Sequence, residues 1–120
     1  MKLILLVFAL AVAAAPAARA QDARRGRVLF AQCAACHSVG PGGNGRGPSL
    51  KGVVGRRSGT VRGFDYSGQI RRAGLTWDDS TLNAFLAEPQ VVLPGVRMPA
   101  AGVPEAKDRA DLIAYLKTAR

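Results

Sequence analysis

The sequence predicts a small all-α domain, on three observations. No run alternates apolar and polar residues as a half-buried strand does. Several segments carry apolar residues at helical spacing, and the stretches that join them are crowded with glycine and proline. Loops are therefore expected to take nearly half of the chain beyond its first 20 residues.

Residues 1–20 read as a secretory signal. Lys2 is the cationic start, Leu3 to Ala15 is apolar, and Ala18-Arg19-Ala20 places small residues where signal peptidase needs them, so cleavage is expected before Gln21. A membrane anchor requires about 20 apolar residues, whereas this run is shorter, alanine-rich and broken by Pro16. No stable membrane insertion is expected after cleavage, and residues 21–120 should form a single domain.

In that domain Asp22 to Ala35 fits a first helix, with Val28, Leu29 and Gln32 one to four residues apart and Gly26 and Phe30 four apart. Ser38 to Pro48 holds five glycines and two prolines and reads as a loop. Lys51 to Phe64 has no clear period. Tyr66 to Ala73 suits a short helix ended by Gly74. The next helix has Thr76 or Asp78 as N-cap and Leu82, Phe85 and Leu86 on one face, and Pro89 is expected to end it. Val91 to Val103 reads as extended or looped. Pro104 in a first turn, followed by Glu105 to Thr118 with Leu112, Ile113 and Leu116 on a stripe, predicts the last helix.

Only 26 residues after position 20 are Leu, Ile, Val, Phe, Met, Trp or Tyr, a thin supply for a core. Domains of this size commonly need a staple. The sequence offers one. Its single histidine closes the run Cys33-Ala34-Ala35-Cys36-His37, the pattern of a covalent haem attachment site. Two intervening residues put both thiols on one turn, within reach of vinyl groups on neighbouring pyrrole rings, and His37 then brings its imidazole beneath the iron. Met98, the one methionine beyond the leader, can supply the opposite axial ligand, a soft thioether on a flexible stem.

Taken alone, Cys-x-x-Cys also fits a thioredoxin-like redox pair, a zinc half-site or a disulfide. Zinc needs four ligands, and only three Cys or His residues exist. A disulfide across two residues closes too small a loop to stabilise much. The redox reading lacks a strand ahead of the motif.

An ordered series of further motifs resembles the small soluble class I cytochromes c of the mitochondrial and c2 kind, across residues 22–118. The series is Gly26-x-x-x-Phe30, Cys33-Ala34-Ala35-Cys36-His37, Gly47-Pro48-Ser49-Leu50, Gly55-Arg56-Arg57-Ser58-Gly59, Gly63-Phe64-Asp65-Tyr66-Ser67, Leu75-Thr76-Trp77, Pro94-Gly95-Val96-Arg97-Met98 and Asp111-Leu112-Ile113-Ala114-Tyr115-Leu116-Lys117. The resemblance implies the cytochrome c fold, with one haem c joined through Cys33 and Cys36, His37 as proximal and Met98 as distal ligand. It also implies that the Pro48 carbonyl fixes the His37 ring, that Arg56, Tyr66 and Trp77 hold the haem propionates, and that Gly26, Phe30, Leu112 and Tyr115 form the crossing of first and last helices. The chain departs from the family where a tyrosine usually bonds the ligating sulfur (Phe85), where a threonine usually binds a propionate (Val96), and where an aromatic usually covers the haem edge (Ala100).

Beyond residue 20 the chain has 15 Lys or Arg, twelve of them Arg, against 8 Asp or Glu. Export and the scatter of these charges argue against nucleic acid. Acidic protein partners in transient encounters are expected instead. The family arrangement puts Arg46, Lys51, Arg97 and Lys107 around an exposed haem edge. The reading is a monomeric periplasmic electron carrier, not an enzyme, exchanging electrons with a membrane quinol-oxidising complex, a terminal oxidase, or a periplasmic reductase or dehydrogenase. A cytochrome subunit of a periplasmic dehydrogenase and a haem sensor or peroxidase remain as alternatives.

Overall fold

A computed structural model of the protein describes residues 21–120, so the expected signal segment lies outside the described residues. Among the described residues there are five α-helices: α1 (Ala23–Leu29), α2 (Gly68–Ala73), α3 (Asp79–Ala87), α4 (Pro89–Val92) and α5 (Ala106–Thr118). Among the described residues there is no strand, only an isolated antiparallel bridge between Arg57 and Thr76. The all-α expectation holds.

Local chemistry sets each boundary. Asp22 caps α1 by accepting from the Arg24 and Arg25 N–H groups at 3.0 and 3.2 Å. The first helix stops well short of Ala35, because Phe30–Gln32 tightens into a 3-10 turn whose Cys33 N–H reaches back to the Phe30 carbonyl at 2.8 Å. That turn delivers the cysteine motif. Ser67, not Tyr66, begins α2 by accepting from the Ile70 N–H, and Gly74 closes the helix in the left-handed conformation.

Asp78 rather than Thr76 caps α3, its carboxylate accepting from the Thr81 N–H at 2.8 Å, while the backbone of Thr76 is committed to the Arg57 bridge. Pro89 does more than end α3. It opens α4, a position where its missing N–H costs nothing. Pro104 falls outside the last helix, since Glu105 occupies the cap position and α5 starts at Ala106; the Pro104 carbonyl instead accepts from Arg109 Nη1 at 2.7 Å.

The crossing of α1 and α5 organises the domain. A Cβ at Gly26 would overlap the Asp111 carbonyl, so only glycine lets the two backbones approach this closely. Phe30 and Tyr115 meet across the same crossing at 5.4 Å between ring centroids. At its upper end Asp111 is completely buried, and its carboxylate accepts from Lys107 Nζ at 2.5 Å, the Asp22 N–H at 2.8 Å and Arg25 Nη1 at 2.9 Å. The Lys107 bond, then the Asp22 amide and Arg25, hold its carboxyl well below the usual carboxylate range. A buried charge is tolerable here because three donors surround it.

Phe30, Leu112, Ile113 and Leu116 continue from the crossing into one core with Val53, Trp77, Leu82, Phe85, Leu93 and Val96. Lys117 pairs with Asp79 at 2.6 Å, and Arg109 Nε donates to Asn83 at 2.8 Å, tying α5 to α3.

Candidate haem site

The turn after α1 and the glycine-rich loop that follows it build one half of the site. The His37 N–H donates to the Cys33 carbonyl at 3.0 Å, keeping both cysteines and the histidine on a single turn. The loop then returns, and the Gly47 N–H donates to the Cys36 carbonyl at 2.9 Å. This return lays Gly47 flat against the imidazole, where a Cβ would overlap the ring, and brings the Pro48 carbonyl 2.7 Å from His37 Nδ1. A carbonyl only accepts, so Nδ1 carries the proton and Nε2 keeps its lone pair for a metal.

Neither cysteine is tied up in a disulfide. Burial, with a smaller contribution from Cys36, pushes the Cys33 thiol up, the reverse of what an attacking redox thiol needs. No group of three or more His, Cys, Asp or Glu gathers among the described residues, so the zinc half-site has no second half.

The other half of the site comes from the segment after α4. Met98 is half-buried and packs on the same core cluster that Cys33 touches. Phe85, also in that cluster, lies 5.0 Å from Trp77 between ring centroids.

Three donors suit anionic propionates. Arg56 is half-buried and meets no carboxylate among the described residues; its guanidinium donates only to the Lys51 and Ser49 carbonyls at 3.1 and 2.9 Å, leaving further N–H groups. Burial lowers its pKa, with Tyr66 acting weakly the other way, as expected of a cation short of a counter-charge. Tyr66 is buried, and its oxygen accepts from the Val61 N–H at 3.0 Å, so its own proton stays available. Trp77 is 6% exposed and its indole N–H meets no acceptor among the described residues, yet no fully buried side-chain nitrogen or oxygen there lacks a partner. That N–H is therefore not fully enclosed by protein. A free imidazole lone pair, paired thiols, a thioether on the shared core and three uncommitted donors fit a haem.

Residues 23–120 match the family model described as Cytochrome c. The chain belongs to the cytochrome c family. It is 44% identical over 117 residues to cytochrome c2 of Blastochloris viridis, a match covering 97% of this chain and 91% of that protein. With cytochrome c of Euglena viridis it shares 48% identity over 98 residues, 81% of this chain and 96% of that one. Among solved structures, cytochrome cH from Methylobacterium extorquens is similar with a TM-score of 0.78 and 44% sequence identity, covering 81% of this chain and 98% of that chain. This is a class I, c2-like cytochrome c with the all-α fold of the family, and it carries one haem c bound covalently through Cys33 and Cys36.

In this cytochrome the structure gathers Cys33, Cys36, His37 and Pro48 into one cluster, and joins Arg56 to Trp77 through a 2.8 Å backbone bond. Of the four cations expected around a haem edge, Arg46, Lys51 and Arg97 are exposed. Lys107 has a partner as well. It is bound to Asp111 at the helix crossing, where an i, i+4 pair on α5 reaches a buried carboxylate. Sequence reasoning missed Gln90, which proves to be a contact residue of the Met98 segment; an exposed glutamine between Pro89 and Val91 gives no signal of two bonds across a turn.

Proposed function

We propose that this cytochrome is a one-electron carrier of the periplasm whose haem iron is held between His37 Nε2 and the Met98 thioether. The observation that carries this reading is the 2.7 Å contact of His37 Nδ1 with the Pro48 carbonyl, which selects the tautomer with Nε2 unprotonated and fixes the ring's direction. The haem supplies a ferric and ferrous couple that takes up or releases one electron.

The protein's residues do the rest. Pro48 increases electron density on the imidazole by accepting its proton in a hydrogen bond. Met98 would contribute a neutral, soft donor that favours the reduced state, and with both His37 and Met98 on the iron neither oxygen nor peroxide would bind there, so the protein would perform no substrate chemistry. Arg56, Tyr66 and Trp77 would hold the propionates. The buried aromatic and aliphatic core keeps the surroundings of low dielectric, which disfavours the extra charge of the oxidised form.

Export is supported by the leader pattern and by the 117-residue match to the c2 of Blastochloris viridis, which must run into residues 1–20. The excess of 15 Lys or Arg over 8 Asp or Glu beyond residue 20, together with the exposed Arg46, Lys51 and Arg97, favours acidic membrane or periplasmic redox partners met transiently. Absorption spectroscopy of the exported ferric protein tests the ligation. The weak iron to sulfur charge-transfer band is expected in the parent and absent in Met98→Ala; a parent without that band defeats the reading.

A further inference from the structure

The chain on either side of Met98 is held very unevenly. Residues 97–102 make no hydrogen bond of their own among the described residues, so the ligand's position depends on how the segment is fastened at its ends. Downstream, the Val103 N–H donates to the Leu86 carbonyl at 2.7 Å, and Arg109 Nη1 donates to the Val103 and Pro104 carbonyls. That anchor lies five residues beyond Met98. Upstream the fastening is nearer.

Leu93-Pro94-Gly95-Val96 is a tight turn, its Val96 N–H donating to the Leu93 carbonyl at 3.0 Å. Proline at the second place and a glycine with φ of 82° at the third are the pattern of a type II turn. Such a turn leaves the amide of its third residue outside its own hydrogen bond. Gln90, on α4, takes it. Gln90 Oε1 accepts from the Gly95 N–H at 3.1 Å, while Nε2 of the same amide donates to the Val96 carbonyl at 2.8 Å. Only a side chain with a donor and an acceptor on one planar group closes both bonds at once. Leu93 and Val96 are buried beneath it, 4% and 9% exposed, so the polar clip lies over an apolar anchor two residues from the ligand.

We propose that Gln90 is a positioning residue for the distal ligand: its carboxamide clips the Gly95–Val96 turn and thereby keeps Met98 on the iron. This rests on Met98 being the axial ligand. A glutamate at 90 would retain the acceptor for Gly95 but set an oxygen against the Val96 carbonyl. A methionine at 90 would keep the length and lose both bonds.

The test uses the ferric holoprotein and imidazole, an external ligand that must displace Met98 to bind. Gln90→Met should bind imidazole about three- to tenfold more tightly than the parent, the gain expected from losing two exposed hydrogen bonds that favour the closed loop. Gln90→Glu should fall between them. The charge-transfer band should bleach at correspondingly lower imidazole. Amide exchange gives a second readout: the Gly95 N–H should exchange faster in Gln90→Met while the Gly47 N–H, bonded to the Cys36 carbonyl, keeps its parental rate. An imidazole affinity within about twofold of the parent in both variants overturns the proposal. So does an equal acceleration at Gly95 and Gly47, which would mean general loosening. If the parent itself lacks the band, the ligation reading falls and takes this proposal with it; a normal band with unaltered affinity removes this proposal alone.

Discussion

The two halves of the haem site are built by opposite means. On the His37 side, residues 33–50 form a knot of short-range bonds, with His37, Gly47 and Leu50 N–H groups donating to carbonyls of Cys33, Cys36 and Ser38 at 2.7 to 3.0 Å. The ring is stacked on Gly47 and tied to Pro48. On the Met98 side the residue proposed as distal ligand rides on six residues without a hydrogen bond among the described residues, stretched between Gln90 and the Val103 anchor. In the proposed ligation the proximal ligand would be positioned by the chain next to it and the distal one by remote elements. An iron held in this way should lose its distal ligand first under any stress.

The sharpest way to break the contrast is to remove each side in turn. Replacing Cys33 and Cys36 together by alanine should abolish covalent haem outright, seen as loss of haem staining on a denaturing gel, whereas Met98→Ala should retain the stain and only open a coordination position.

Next comes the scaffold beneath the proximal half. Gly26→Val drives a branched side chain into the Asp111 carbonyl, and should lower unfolding free energy by about 3 kcal/mol in denaturant titration. An unchanged midpoint would show that α1 and α5 can separate without loss.

A smaller, pH-dependent effect comes from Asp111. Its folded carboxyl titrates below the ordinary carboxylate range, so the stabilisation it gives is present at neutral pH and is lost as pH falls below about 4 toward the folded value. Urea midpoints at about pH 7 and about pH 3 should therefore converge in Asp111→Asn, which has no charge to lose. Equal acid sensitivity in both proteins would assign that limb to other carboxylates.

The finest adjustment is electronic. Phe85 lacks the hydroxyl that would draw density from sulfur, so Phe85→Tyr should raise the reduction potential slightly while leaving the imidazole side unperturbed. Voltammetry of the two holoproteins decides it, an identical potential being the adverse result.

Much of this is legible in the order of residues alone. The spacing of Cys33, Cys36 and His37 dictates covalent haem because attachment chemistry acts on neighbouring residues, and a chain with one histidine and one methionine beyond residue 20 leaves few choices of ligand. The helices are readable where apolar spacing and a cap coincide, as in α3 and α5. Boundaries are less so. The first helix ends early because a 3-10 turn has to redirect the motif, and Pro89 starts a second helix as well as stopping the one before it.

What tertiary structure alone decided lies in contacts between residues far apart in the chain. Lys107 looks like a surface cation in sequence and is a partner of Asp111 in the fold. Asp22 and Asp111 are 89 residues apart, and their bond exists only because Gly26 permits the helices to cross. Gln90 is equally silent in sequence, since nothing in a lone glutamine states which turn will come to rest against it. Residue spacing determines chemistry that occurs within one turn of chain; donors and acceptors brought together by packing are determined only once the core has set where each loop returns.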